Sequence, residues 1–338
     1  MSVQPLATEI TSDLENKISA LSAKLTEAQE NIHRVIFGQD EVIDLCLTVI
    51  LSGGHFLLMG LPGLGKTKLV DTLGTVMGLD HKRVQCTPDL MPADIIGSEI
   101  LSDIRGGEGS NRSFQFIKGP VFCQLLMADE INRASPRTQS ALLQAMQEYQ
   151  VSVGGVTYDL PRPFHVMATQ NPLEQEGTYP LPEAQLDRFM LQIDIGYPAV
   201  DEERKMMLVT TGTHEDKATQ IFKAEEVMEA QRLIRQLPIG EKVVDGILQL
   251  VQAGRPEQSK LDVVKKHVSW GPGPRASQAL MLAIRAKALL EGRTAPSLDD
   301  VVEIAPAVLR HRMALHFSAR AEGLTLTDII GQICGTIA

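Results

Sequence analysis

Aromatic side chains are scarce. Phe, Trp and Tyr together make up 4 % of the chain, with a single Trp, which disfavours a stacking platform for single-stranded nucleic acid. Long apolar runs are missing as well. None approaches the roughly 20 residues of a membrane span, and the N-terminus lacks the basic-then-apolar pattern of a secretion signal. Positive charge is in deficit, 32 Lys and Arg against 42 Asp and Glu, for a net charge of -10. That balance opposes non-specific attraction to nucleic acid or anionic lipid, and neither partner is expected. Cysteine is limited to Cys46, Cys86, Cys123 and Cys334, far apart and without metal-ligand spacing. They read as reduced core thiols of a cytoplasmic protein.

Apolar residues, 43 % of 338, are ample for a core, and the length suits two domains or one large domain with an attached lid. Residues 12–34 read as one helix. Leu14, Ile18, Leu21, Leu25, Ala28 and Ile32 fall on one stripe at spacings of three and four. From about residue 35 to 197 short apolar strands alternate with helices, which predicts an α/β fold around a mainly parallel sheet. Strands are expected at 55–59, 124–128 and 164–169, and helices at 66–77 and 135–149. Two inserts read as hairpins: 99–117, with its tip at Gly106, Gly107, Glu108 and Gly109, and 150–160, turning at Gly154-Gly155. Beyond about residue 200 no further strand is expected. Helices are expected at 201–211, 224–236, 240–253, 275–290, 297–309 and 326–336. Ser297 and Asp300 suggest a capping box, and Thr327 a cap for the last helix. Met206 and Met207 read as core. The resulting division is 1–34 as an N-terminal helix, 35–200 as the α/β domain and 201–338 as an all-α lid.

Three short segments carry chemistry. Gly60-Leu61-Pro62-Gly63-Leu64-Gly65-Lys66-Thr67 fits G-x-x-x-x-G-K-S/T between a strand and a helix. Its glycines let backbone N–H groups turn toward phosphate oxygens, at the positive end of the following helix. Lys66 suits the β- and γ-phosphates and the Thr67 hydroxyl suits Mg²⁺; Lys68 lies in the same turn. Leu125-Leu126-Met127-Ala128-Asp129-Glu130 is an apolar strand ending in two acids. Asp129 suits a magnesium site and Glu130 the polarisation of an attacking water. Asn171 ends the next buried strand, where it suits orienting that water; before Pro172 it equally suits a turn.

With Asp129-Glu130-Ile131-Asn132-Arg133-Ala134, Asn171-Pro172 and Leu186-Asp187-Arg188-Phe189, the chain resembles AAA+ ATPases, and more narrowly the MoxR family. Ile36-Phe37-Gly38-Gln39 is similar to that family's adenine-side segment, and Gly271-Pro272-Gly273-Pro274-Arg275 to its sensor 2 segment. The resemblance covers about residues 30–315. It implies that the chain binds ATP and Mg²⁺, with Phe37, Gly38 and Gln39 on the adenine side. It also implies that Arg188 is an arginine finger for a neighbouring subunit, and that Arg275 reaches nucleotide from the lid of the same or an adjacent subunit. An ion pair with Asp187 or Glu183 is the plainer reading of Arg188. The two hairpins resemble the helix-2 and pre-sensor-1 inserts. A homo-oligomeric ring, commonly hexameric, is implied, together with chaperone-like work on client proteins, von Willebrand factor A domain proteins among them. Two other readings stand beside it, a motor subunit of a chelatase-like complex and a nucleic-acid-dependent ATPase. Arg310-His311-Arg312 reads as a helix terminus and not as a catalytic group.

Overall fold

The computed structural model describes residues 12–104, 111–174, 177–212 and 216–337. In chain order the elements are α1 (Ser12–His33), α2 (Asp40–Ser52), β1 (Phe56–Gly60), α3 (Lys66–Val76), β2 (His81–Gln85), α4 (Pro92–Ile96), β3 (Gly97–Ile104), β4 (Asn111–Lys118), β5 (Leu125–Asp129), α5 (Pro136–Glu148), β6 (Gln150–Val153), β7 (Val156–Asp159), β8 (His165–Gln170), α6 (Glu183–Leu186) and β9 (Leu191–Ile195). There follow α7 (Val200–Thr210), α8 (Ala224–Gln236), α9 (Glu241–Ala253), α10 (Asp262–His267), β10 (Val268–Trp270), α11 (Pro274–Leu290), α12 (Leu298–Leu309), β11 (Ala314–Leu315), α13 (Phe317–Ala321) and α14 (Leu326–Cys334).

Five strands form one sheet in the order β2-β5-β8-β1-β9, and every neighbouring pair is parallel. Parallel strands need crossovers and bury both faces, which explains the unbroken apolar runs of β1, β5 and β8. Successive side chains then sort to opposite faces. Phe56, Leu58, Leu125, Met127 and Met167 join a core shared with α1, α2, α3 and the helices of the C-terminal third. Leu57, Leu126, Ala128, Val166 and Ala168 join a second core with α5 and the hairpin bases. On α1, Ile18, Leu25, Ala28 and Ile32 are buried in the first core, so the stripe packs onto the body of its own chain.

The inserts are antiparallel hairpins, β3 with β4 and β6 with β7. The turn of the second is Gly154-Gly155, both at positive φ, a backbone that glycine adopts without strain. The expected tip of the first, Gly106 to Gly109, lies outside the described residues. The hairpins touch: Phe116 of β4 stacks on Tyr158 of β7 with ring centroids 4.2 Å apart. A Cβ on Gly154 would lie 2.4 Å from the Glu99 carboxyl carbon of β3.

Three expectations need correction. The C-terminal third is helical but carries a two-stranded antiparallel ribbon, β10 with β11, too short for periodicity to reveal. The cap of α14 is Thr325, whose hydroxyl accepts from the Asp328 N–H while the Asp328 carboxylate accepts from the Thr325 N–H; Thr327 lies inside the helix. Met206 and Met207 are not core. They sit on α7, none of whose residues is buried, and Met207 is 54 % exposed. The capping box at Ser297 and Asp300 is present at α12.

Candidate nucleotide site

The C-terminal ends of three adjacent strands, β5, β8 and β1, bring the chemical segments together. After β1 the chain turns through Gly63 (φ 85°) and Gly65 (φ 76°) into α3. A side chain at either would meet open space, so these glycines serve the backbone conformation and not packing. Gly60 is different: a Cβ there would lie 2.9 Å from the Ile195 carbonyl oxygen of β9. Leu61, Pro62 and Leu64 complete the loop, and Lys66, Thr67 and Lys68 form the first turn of α3. The turn has no side-chain cap, so its N–H groups point at whatever the loop encloses. Lys66 Nζ donates to the Gly60 carbonyl oxygen at 2.7 Å, which folds the ammonium over the loop. Burial pulls the Lys66 pKa below the usual lysine range, while Asp129 and Glu130 oppose that shift.

The acid pair stands on β5 and just past it. Asp129 Oδ1 accepts from the Thr169 hydroxyl at 2.5 Å, and Thr169 Oγ1 accepts from the Glu130 N–H at 2.9 Å. Glu130 adopts φ 53°, a left-handed conformation uncommon for this residue type and characteristic of functional positions. Its Oε2 receives Gln85 Nε2 at 2.9 Å and Arg133 Nη1 at 3.2 Å. Arg133 also lies 3.5 Å from Glu174. Asn171 Oδ1 accepts from the Leu173 N–H at 3.2 Å. The expected turn is therefore real, and it fixes the Asn171 side-chain amide through its oxygen. Gln39 Nε2 donates to the Leu64 carbonyl at 3.0 Å, tying the segment ahead of α2 to the loop, and its buried Oε1 lacks a partner. Phe37 and Gly38 line a recess of about 250 Å³ with Glu202 and Lys205 of α7.

Arg188 and Arg275 are elsewhere. They line a recess of about 310 Å³ with Arg235, next to Gly53, Gly54 and His55, just before β1 begins. The glycine loop follows the other end of β1, about 16 Å away at 3.3 Å per strand residue. Arg188 Nη1 donates to the Leu143 carbonyl at 2.7 Å; among the described residues it pairs with neither Asp187 nor Glu183. Asp187 instead lies 3.9 Å from Arg275 and 2.7 Å from Arg312 Nε. Arg312 is 2 % exposed and also donates to the carbonyls of Val308, Phe189 and Met190. His311 bonds the Phe189 carbonyl and Arg310 pairs with Asp194. The helix-terminal trio is thus structural, through bonds that pin the end of α12 to residues 187–194 and not only through the helix dipole. Sequence reasoning missed Arg83, Gln85, Thr169 as a bridge, and Arg235. The first two lie on a mostly polar strand whose one apolar residue is Val84.

Hard oxygen donors, the Asp129 carboxylate and Thr67 hydroxyl, suit magnesium that arrives with phosphate. Among the described residues no cluster of three His, Cys, Asp or Glu forms a protein-only metal cage.

A glycine-rich loop after β1 of a 2-5-8-1-9 parallel sheet, an acid pair at the end of β5 two places away and a helical third define an AAA-type P-loop ATPase. A family profile for the ATPase family associated with various cellular activities (AAA) matches residues 55–191, and one for the AAA lid domain matches 261–333. The chain is 42 % identical to Chaperone MoxR1 of Mycobacterium tuberculosis, covering 93 % of this chain and 82 % of that protein. It is 31 % identical to Protein MoxR of Paracoccus denitrificans, over 92 % and 95 %. The crystal structure of a candidate ATPase from Cytophaga hutchinsonii superposes with TM-score 0.87 at 39 % identity, over 95 % and 96 % of the two chains. The chain belongs to the MoxR family of AAA+ ATPases.

Proposed function

We propose that the chain hydrolyses ATP at sites shared between neighbouring copies in a closed ring, and that the cycle remodels client proteins. The observation that carries this reading is the separation of charge. Lys66, Asp129, Glu130 and Asn171 stand at one edge of the sheet, and Arg188 and Arg275 share a recess at the other. Neither arginine lies at its own glycine loop, which supports reading both, Arg275 included, as serving a neighbour's nucleotide.

Within the shared site, the N–H groups of residues 60–68 cradle the phosphates and Lys66 neutralises the outer two. Phe37, Gly38 and Gln39 flank the base. Thr67 and Asp129 would hold magnesium, which supplies positive charge to the phosphate oxygens. Glu130 polarises the water, Asn171 Nδ2 orients it, and Arg188 with Arg275 stabilise charge on the transferring group. Chaperone-like work is supported by the name of the M. tuberculosis relative. The apolar side chains exposed on the joined hairpins support it too: Phe114 is 72 % and Leu101 52 % exposed, with Ile100, Ile117 and Val156 beside them. Such surface suits gripping unfolded segments. The geometry is tested by mixing Arg188→Ala and Lys66→Ala proteins. Each should be inactive alone, and the mixture should recover turnover because intact halves meet at some interfaces. No recovery would refute the shared site. Clients are sought by capturing proteins on the Glu130→Gln variant in ATP, with Lys66→Ala as the control that should retain none.

A further inference from the structure

β2 is the edge strand beside β5, and Gln85 lies in register with Asp129. Arg83 Nη2 donates to Asp129 Oδ2 at 2.5 Å and to Gln85 Oε1 at 2.8 Å. Gln85 passes the contact on to Glu130 Oε2. Since Thr169 already occupies Oδ1, both oxygens of Asp129 have donors and a full positive charge sits against one of them.

We infer that Arg83 is a displaceable cation that neutralises Asp129 between rounds of nucleotide loading, and that it sets how much free magnesium the site requires. The inference rests on the reading of Asp129 as the magnesium-side acid. Magnesium binds oxygen at about 2 Å, or through a water at about 4 Å. A guanidinium already in contact with Oδ2 repels it in either place and holds the lone pairs it needs. The two cations therefore compete, and loading must move the arginine. The mobilities differ in the required sense. The Arg83 side chain is 46 % exposed on the outermost strand, whereas that of Asp129 is 13 % exposed and tethered to Thr169. The arginine can leave; the carboxylate stays. Its departure also releases Gln85 Oε1, so the Gln85 bond to Glu130 loses the partner that orients it. Metal loading at one acid is thereby reported to the other.

The test titrates magnesium at a fixed concentration of fluorescent ATP analogue and reads binding, not turnover. R83Q and R83M should reach half-binding at about fivefold less magnesium than the wild type, or lower still. R83K, which keeps the charge, should stay within about twofold. Neutral variants that bind nucleotide with an unchanged or greater magnesium requirement would overturn the inference and leave the nucleotide site standing. Failure of both to fold, seen by circular dichroism, would overturn it as well, since a group displaced in every cycle cannot be required for the fold. Wild-type protein that takes up no nucleotide at any magnesium concentration would instead remove the nucleotide site and this inference with it.

Discussion

The two edges of the sheet are built on opposite plans. At the C-terminal edge the groups sit on strand ends and the first turn of α3 and bond mostly to one another: Lys66 to the glycine loop, Thr169 between Asp129 and Glu130, Gln85 to Glu130. At the N-terminal edge the arginines are positioned by the rest of the molecule. Arg188 is held by the carbonyl of Leu143, and its neighbour Asp187 is gripped by a buried arginine from the end of α12. The first edge is shaped to close around a ligand, and the second to present fixed charges outward. In the shared site proposed above, the first edge would supply the half that adapts to ligand and the second edge of the next copy the half that stays fixed.

The sharpest way to break that division is Arg188→Ala. Turnover should fall by roughly 10³ to 10⁵, the usual contribution of an arginine finger, while nucleotide binding measured by equilibrium titration persists. If binding is lost in step with turnover, the arginine belongs to its own subunit's pocket and the two-edge scheme fails. Glu130→Gln probes the other edge. A drop of about 10² to 10⁴ in turnover is expected for loss of a general base, with retained ATP; a variant that still turns over near the wild-type rate would remove Glu130 from that role.

Arg312→Met tests the claim that the second edge is held from outside. It leaves Asp187 only the more distant Arg275, removes the buried donor to the Val308, Phe189 and Met190 carbonyls, and should cost about 3 to 5 kcal/mol in denaturant unfolding. In whatever fraction stays folded it should depress turnover more than nucleotide affinity. Acid offers a related probe, because His55 and His165 are buried beneath this edge. His55 Nε2 donates to the Met146 carbonyl, and its Nδ1 accepts from the Val166 N–H. Burial drives their pKa values down to about 3 and about 4. The folded state therefore refuses protons that the unfolded chain accepts below about 6.5. The stability conferred is full above that value and declines as pH falls toward 4. At pH 5 the loss should be about 2 kcal/mol per histidine relative to pH 7, and His165→Gln should flatten the curve. The smallest effect is expected from Phe116→Ala. It removes a stacked pair worth about 1 kcal/mol and should uncouple the hairpins, leaving basal turnover intact and reducing client retention by the Glu130→Gln protein.

The first edge was largely readable in the chain, the second only by family likeness. Glycines in a fixed pattern, an apolar strand ending in Asp129-Glu130 and Asn171 before Pro172 announce themselves, because local sequence dictates local backbone there. Arg188 and Arg275 carry no such local signature, since their meaning comes from which edge they reach after the chain has crossed the sheet. Arg83 and Gln85 were hidden because His81–Gln85 has one apolar core residue, Val84, as an edge strand can. Met206 and Met207 misled by composition alone: α7 lies on the surface, so hydrophobicity there does not signal burial. Thr325 lost to Thr327 because both lie near the start of α14 and only the reciprocal bond with Asp328 distinguishes them.

Arg312 and Arg275 both converge on Asp187, one residue from Arg188. In the proposed ring, the lid of each copy would hold a tool used next door. A lid that shifts as its own nucleotide changes would withdraw or offer that tool to one neighbour and not to the other. Traffic around the circle would then run in a single sense, with each copy learning the state of the one before it through the hold on Asp187.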